Sequence, residues 1–118
     1  MNKPKTIFCD IDGTLLYHHG DLNKQMKEEP VLLPGVREKI VEWDRHGYNI
    51  ILTTGRKESC RKLTEEHLEK AGIFYDQLIM GIGGGPRILI NDLKPDSDKE
   101  TATAINLIRN KGVKNVKV

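Results

Sequence analysis

Two carboxylates stand two residues apart in Phe8-Cys9-Asp10-Ile11-Asp12-Gly13-Thr14, directly after a short apolar run. A second apolar run, Ile50-Ile51-Leu52, leads into Thr53-Thr54-Gly55-Arg56, and a third, Ile88-Leu89-Ile90, into Asn91-Asp92-Leu93-Lys94-Pro95-Asp96. Carboxylates, hydroxyls and cations gathered after apolar runs suit phosphoryl chemistry. A phosphate ester and a carboxylate nucleophile are both negative, so attack needs a cation that neutralises the developing charge. Mg²⁺, with its preference for oxygen ligands, meets that need. The Asp-x-Asp pair is not a calcium loop: an EF-hand requires Gly at the sixth position and Glu at the twelfth, where this chain has Leu15 and Asp21.

The elements that must position these groups follow from the pattern of apolar residues. Thr6 to Cys9 reads as a buried strand ended by the turn at Gly13, and Tyr48 to Thr53 as a second strand ended by Gly55. Val36, Ile40 and Trp43 recur at helical spacing between Pro34-Gly35 and Gly47, and Cys60, Leu63, His67 and Ala71 define a second helix over 57–71, closed by Gly72. Leu78-Ile79-Met80 and Ile88-Leu89-Ile90 are too short for helices and read as two further strands. Ser97-Asp98-Lys99-Glu100 forms a capping box for a third helix, with Ala104, Ile105 and Ile108 on its apolar face and Gly112 at its end, and Val113 to Val118 add a weak edge strand. Residues 14–33 contain Gly20 and Pro30 in a polar stretch, so they predict a hairpin or flap instead of a subdomain.

Strands alternating with helices predict an α/β, Rossmann-like three-layer sandwich with a mainly parallel sheet, built as a single domain over 1–118. Ligands of such sheets bind beyond the carboxyl ends of the strands, which is where the polar segments fall. Hydrophobic residues make up 37% and charged residues 31%, and no apolar run approaches the ~20 residues of a membrane span. No membrane partner is expected. The net charge of +2 is dispersed without a basic block, so a nucleic-acid surface is not announced. Two cysteines, Cys9 and Cys60, make neither a metal pair nor a disulfide framework, and Met1-Asn2-Lys3-Pro4-Lys5 lacks the features of a signal peptide. A cytoplasmic protein is expected.

Asp10-Ile11-Asp12-Gly13-Thr14 after an apolar strand resembles the first motif of haloacid dehalogenase (HAD) superfamily phosphatases. Thr53-Thr54-Gly55-Arg56 resembles the second and Asp92-x-x-x-Asp96 the fourth. The resemblance implies that Asp10 is the nucleophile and a metal ligand, forming an aspartyl-phosphate. It implies that Asp12 protonates the leaving oxygen, then activates water, and lends its main-chain carbonyl to Mg²⁺. Thr54 is the implied hydroxyl of the second motif, Asp92 completes the metal site, and Gly13, Thr14, Gly55 and Arg56 line the substrate phosphate. Asp96 reads equally as an outer residue of the site and as a carboxylate favouring the following helix. Asn91 stands where many relatives have Gly or Asp.

The third motif, a Lys or Arg that restrains nucleophile and phosphate, has no obvious counterpart after the third strand, where Gly81-Ile82-Gly83 stands. Strand arithmetic favours Lys94: Arg87 precedes Ile88 and would lie ~16 Å from Asp92 at the opposite end of that strand. Arg56 is a further helper, and Arg87 serves only if the Gly81–Gly85 loop folds it back. That loop is no dinucleotide fingerprint, because Pro86 takes the place of the third Gly and a strand follows. His18 and His19 lie in the flap, while His67, Trp43 and Met80 read as packed. No cap domain is encoded. Relatives of this capless kind accept bulky substrates or cover the site by forming homo-oligomers. The expected substrate is a small-molecule phosphate ester such as a sugar phosphate. The alternatives are a polynucleotide end phosphatase, disfavoured by a flap poor in interleaved basic and aromatic residues, and a degenerate domain that binds phosphorylated ligands without turnover.

Overall fold

The computed structural model describes residues 3–118. Its centre is a parallel sheet in the order β1 (Thr6–Asp10), β2 (Asn49–Thr53) and β3 (Gln77–Ile79). Cys9 pairs with Leu52 and Asp10 with Thr53, while Thr53 pairs with Ile79. Both strand connections are therefore crossovers, and the polar residues after β1 and β2 emerge side by side.

Side chains alternate across a strand, which sends Ile7, Cys9, Ile50, Leu52 and Leu78 to one face of the sheet. There they form a continuous core with Val36, Ile40 and Trp43 of helix α2 (Val36–Arg45) and Leu68 of α3 (Arg61–Lys70). The i, i+4, i+7 spacing that predicted α2 is the set of residues it buries. The predicted second helix begins as a single 3-10 turn at Glu58–Cys60 before α3. The opposite sheet face, with Phe8, Ile51 and Ile79, is more open, and Phe8 is 55% exposed.

The flap is present and carries a short helix, α1 (Leu22–Lys27), capped by Asp21, whose carboxylate accepts from the Lys24 amide at 2.9 Å. Its two arms are joined by the Tyr17 amide on the Val31 carbonyl (2.8 Å) and the Leu33 amide on the Leu15 carbonyl (2.9 Å). Buried Leu15, Leu16 and Leu33 root it in the core.

The last third of the chain departs from expectation. Among the described residues no strand or helix forms after Ile79. Ile88 and Ile90 are 85% and 90% exposed, so the predicted fourth strand is absent. Three apolar residues make a strand only where a neighbouring strand and a covering layer bury them, and this segment has neither. The predicted third helix is absent too. The Ser97 hydroxyl accepts from the Lys99 amide at 3.2 Å, but the Ser97 amide closes a turn on the Lys94 carbonyl at 3.2 Å, in which Asp96 takes φ +60°. That turn competes with a helix start. The edge strand expected at 113–118 does not form either. Val113 and Val116 instead bury against the core.

This tail is locked beside α2. The Val113 amide donates to the Pro34 carbonyl at 3.0 Å, and Gly112 has φ +85° with no room for a side chain, since a Cβ would lie 2.2 Å from the Pro34 oxygen. We predict that Gly112→Ala destabilises the protein by at least ~1–3 kcal/mol, the cost of holding a non-glycine residue in that backbone region, as read from a denaturation midpoint. A change under a few tenths of a kcal/mol would show that the tail is not seated there.

Candidate active site

Asp10 ends β1 at the carboxyl edge of the sheet and opens to solvent, with Thr53 as its register partner. Thr14 donates its hydroxyl to the Asp10 carboxylate at 3.3 Å. The surrounding chain strips part of the hydration from this carboxylate, which raises its pKa, and the Asp12 charge adds to the rise; the Ile11 amide, the Thr14 hydroxyl and the Arg87 charge oppose it. The neighbouring Cys9 is buried with its thiol pushed up to about 12 by burial and by the Asp10 charge.

Asp12 is gripped from two sides. Arg56 donates Nε to Oδ2 and an Nη to Oδ1, both at 2.8 Å, and the Gln25 amide donates to Oδ1 at 2.8 Å. Arg56 is only 3% exposed, and its other Nη reaches the Thr64 hydroxyl at 3.1 Å and His67 Nδ1 at 3.3 Å. Arg56 was expected to line the substrate phosphate. Instead its guanidinium is spent on Asp12 and α3. Thr54 is buried, and its hydroxyl accepts from the Arg56 amide at 3.1 Å. Burial, with the Arg56 charge beside it, holds His67 below the ordinary histidine value.

Gly55 and Gly13 are points of close approach. A Cβ on Gly55 would sit 2.8 Å from the Gly83 carbonyl, so the Gly81–Gly85 loop lies directly on the second motif. Arg87 donates to the carbonyls of Gly83 (2.9 Å) and Gly85, and this returns it to within electrostatic reach of Asp10. The argument for Lys94 assumed a fourth strand running to the catalytic end. Without that strand, Lys94 lies in an exposed irregular segment, while the charge of Arg87, in an exposed loop of its own, acts on the Asp10 carboxylate. Asp92 lies in the same exposed segment, and among the described residues no group of three His, Cys, Asp or Glu side chains comes together. Asp96 lies there too, in the turn before Ser97.

Three participants carried no sequence signal. Gln25 of the flap reaches Asp12. Arg109 lies over Gly13, its Cγ 3.1 Å from where a Cβ would stand. Asn110 grips His18, accepting from its amide at 2.7 Å and donating to its carbonyl at 3.1 Å.

By donor type alone, the exposed carboxylate of Asp10 suits a small hard cation. Mg²⁺ is commonly held by one or two carboxylates, with substrate phosphate and water completing its shell. The Asp10 carboxylate and the Asp12 main-chain carbonyl are such donors, whereas both Asp12 side-chain oxygens are already engaged. When bound there, Mg²⁺ would supply neutralisation of the phosphoryl charge.

A parallel sheet delivering Asp-x-Asp-Gly-Thr and Thr-Gly-Arg to one edge is the core of a HAD-type phosphatase, and that is the class of this protein. Residues 4–85 match the polynucleotide kinase PNKP phosphatase domain, and the chain belongs to that family. Among solved structures, a chain of the Pnkp1/Rnl/Hen1 complex is 35% identical, with a TM-score of 0.58 over 65% of this chain and 27% of that one. A second structure of this RNA repair complex gives 34% identity and a TM-score of 0.57, over 65% of this chain and 25% of that one. The chain thus spans about a quarter of the length of these relatives. A target protein from Vibrio cholerae shares the fold at 20% identity and a TM-score of 0.52, over 77% of this chain and 84% of that one. No curated protein sequence matches the chain.

The His67 environment has a consequence for pH. A lowered folded-state pKa contributes stability that is present above the ordinary histidine value and is lost as pH falls through the lowered one. We expect the parent to lose stability across mildly acidic pH and His67→Gln to lose less over the same range. Denaturant midpoints at a series of pH values test this, and parallel curves for the two proteins would contradict it.

Proposed function

We propose that the protein removes a terminal phosphate from a polynucleotide end, in preference to the sugar phosphate that the sequence suggested. The observation that carries this is the match of 4–85 to the PNKP phosphatase domain, and the likeness to chains of an RNA repair complex supports it. The flap offers suitable chemistry. Tyr17 and His19 pack edge to face with ring centroids 5.0 Å apart, and Arg109 lies over Gly13 at the flap's root. An aromatic pair beside a cation is a surface on which a terminal base stacks while the adjoining phosphates are held. The flap that looked poor in such residues gains its cation from the far end of the chain.

The reaction follows from the site. The Asp10 carboxylate attacks phosphorus, the bond to the ester oxygen breaks, and the leaving oxygen takes a proton from Asp12. Water then attacks the aspartyl-phosphate, giving its proton to Asp12 and releasing inorganic phosphate and free Asp10. Arg87 stabilises the negative charge on the transferring group, and the Thr54 segment positions it. Mg²⁺ held at Asp10 and the Asp12 carbonyl is part of this proposal.

Oligonucleotides phosphorylated at either end should be hydrolysed with a kcat/KM roughly 5- to 150-fold above that of a sugar phosphate, the worth of stacking one base. Equal values for oligonucleotide and sugar phosphate would overturn the assignment. Asp10→Asn should abolish release of phosphate while retaining the parent's melting temperature. Arg87→Ala should lose on the order of 10² to 10³ in turnover, as expected for one transition-state contact, and Lys94→Ala much less. The reverse order would return the third-motif role to Lys94.

A further inference from the structure

Gln25 sits on the six-residue helix of a surface flap, yet it is 5% exposed and its amide is fully committed. Its Nε2 donates to the Asp12 carboxylate and to the Tyr17 carbonyl, both at 2.8 Å, and its Oε1 accepts from the His19 amide at 2.7 Å. Both N–H bonds are used. The orientation is fixed, because a flipped amide would turn its oxygen onto a carboxylate and a carbonyl and its hydrogens onto the His19 N–H. One side chain thus ties the arm of the flap, its helix and the second aspartate together.

The two grips on Asp12 differ in kind. Arg56 is anchored in the interior by Thr64 and His67 and cannot shift without disturbing α3. Gln25 belongs to the flap and reaches Asp12 from outside the core. With Arg56 and Gln25 both on Oδ1 and Arg56 also on Oδ2, the one lone pair of Asp12 left to take up and give a proton is on Oδ2, and of these contacts the Gln25 one follows the flap.

We propose that Gln25 is a positioning residue which, acting through Asp12, makes delivery of the proton to the leaving oxygen depend on how the flap is seated. The proposal rests on Asp12 as the proton donor. Its signature is dependence on the leaving group. A nitrophenolate departs without help, whereas an alkoxide needs its proton in the transition state, so a fault in proton delivery slows alkyl esters selectively. A general acid contributes ~10²–10⁴, and a residue that only positions it commands part of that.

The test measures 4-nitrophenyl phosphate and a phosphate monoester of a primary alcohol with each of three proteins: parent, Gln25→Met and Asp12→Asn. Taking the alkyl-to-aryl ratio of kcat/KM within one preparation confines the comparison to the steps up to the shared aspartyl-phosphate and removes any dependence on the folded fraction, so partial unfolding of a variant does not spoil it. Gln25→Met, similar in size but without the amide, should lower that ratio at least about tenfold, and Asp12→Asn should lower it further. An unchanged ratio for Gln25→Met beside a lowered one for Asp12→Asn overturns the role of Gln25 alone. An unchanged ratio for Asp12→Asn overturns the assignment of the proton donor, and the proposal with it.

Discussion

Arg56 holds Asp12 through two parallel hydrogen bonds made from inside the protein. This pair joins the turn after β1 to the turn after β2, and through Thr64 and His67 it ties both to α3. Its guanidinium is almost wholly removed from water, while the carboxylate keeps an opening to the site. Removing one partner of such a pair typically costs ~3–5 kcal/mol, because the other charge is left buried and alone. The pair therefore resists any change in the relative geometry of the two motifs, which is the kind of preorganisation that electrostatic catalysis uses.

Around this fixed pair the remaining parts are arranged as attachments. The flap comes to it through Gln25 and is held at its root by Asn110 on the backbone of His18. The glycine loop comes to it through the bare backbone of Gly55, and brings Arg87 with it. The tail crosses back through Gly112 against Pro34. Each contact joins segments far apart in sequence, so the site is assembled by the whole chain although its reacting groups lie within a few residues of two strand ends.

That division explains what could be read in advance. Asp10, Asp12, Thr54 and Gly55 were legible because each stands a fixed number of residues after an apolar strand, and strand and turn are decided locally. α2 and most of α3 were legible through their spacing of apolar residues. The path of the loop before Arg87 escaped strand arithmetic, because positive φ at Gly81 and Gly83 lets the chain reverse in a way that rise per residue does not describe. Gln25, Arg109 and Asn110 were invisible, since a polar residue in a polar stretch gives no sign of the distant partner it will meet. The segment 88–108 satisfied the local patterns of strand and helix, yet no neighbouring layer covers it, and Asp92 lost its expected place with it.

The setting of Cys9 gives this site a chemical temperament. Its sulfur lies one residue from Asp10, where a reactive thiol would leave the site open to peroxide and to alkylating reagents. Burial and the Asp10 charge keep it protonated, with a pKa pushed up to about 12, and only the thiolate reacts at a useful rate. In the proposed reaction the attacking atom is an oxygen, and the adjacent sulfur, held protonated, takes no part in it.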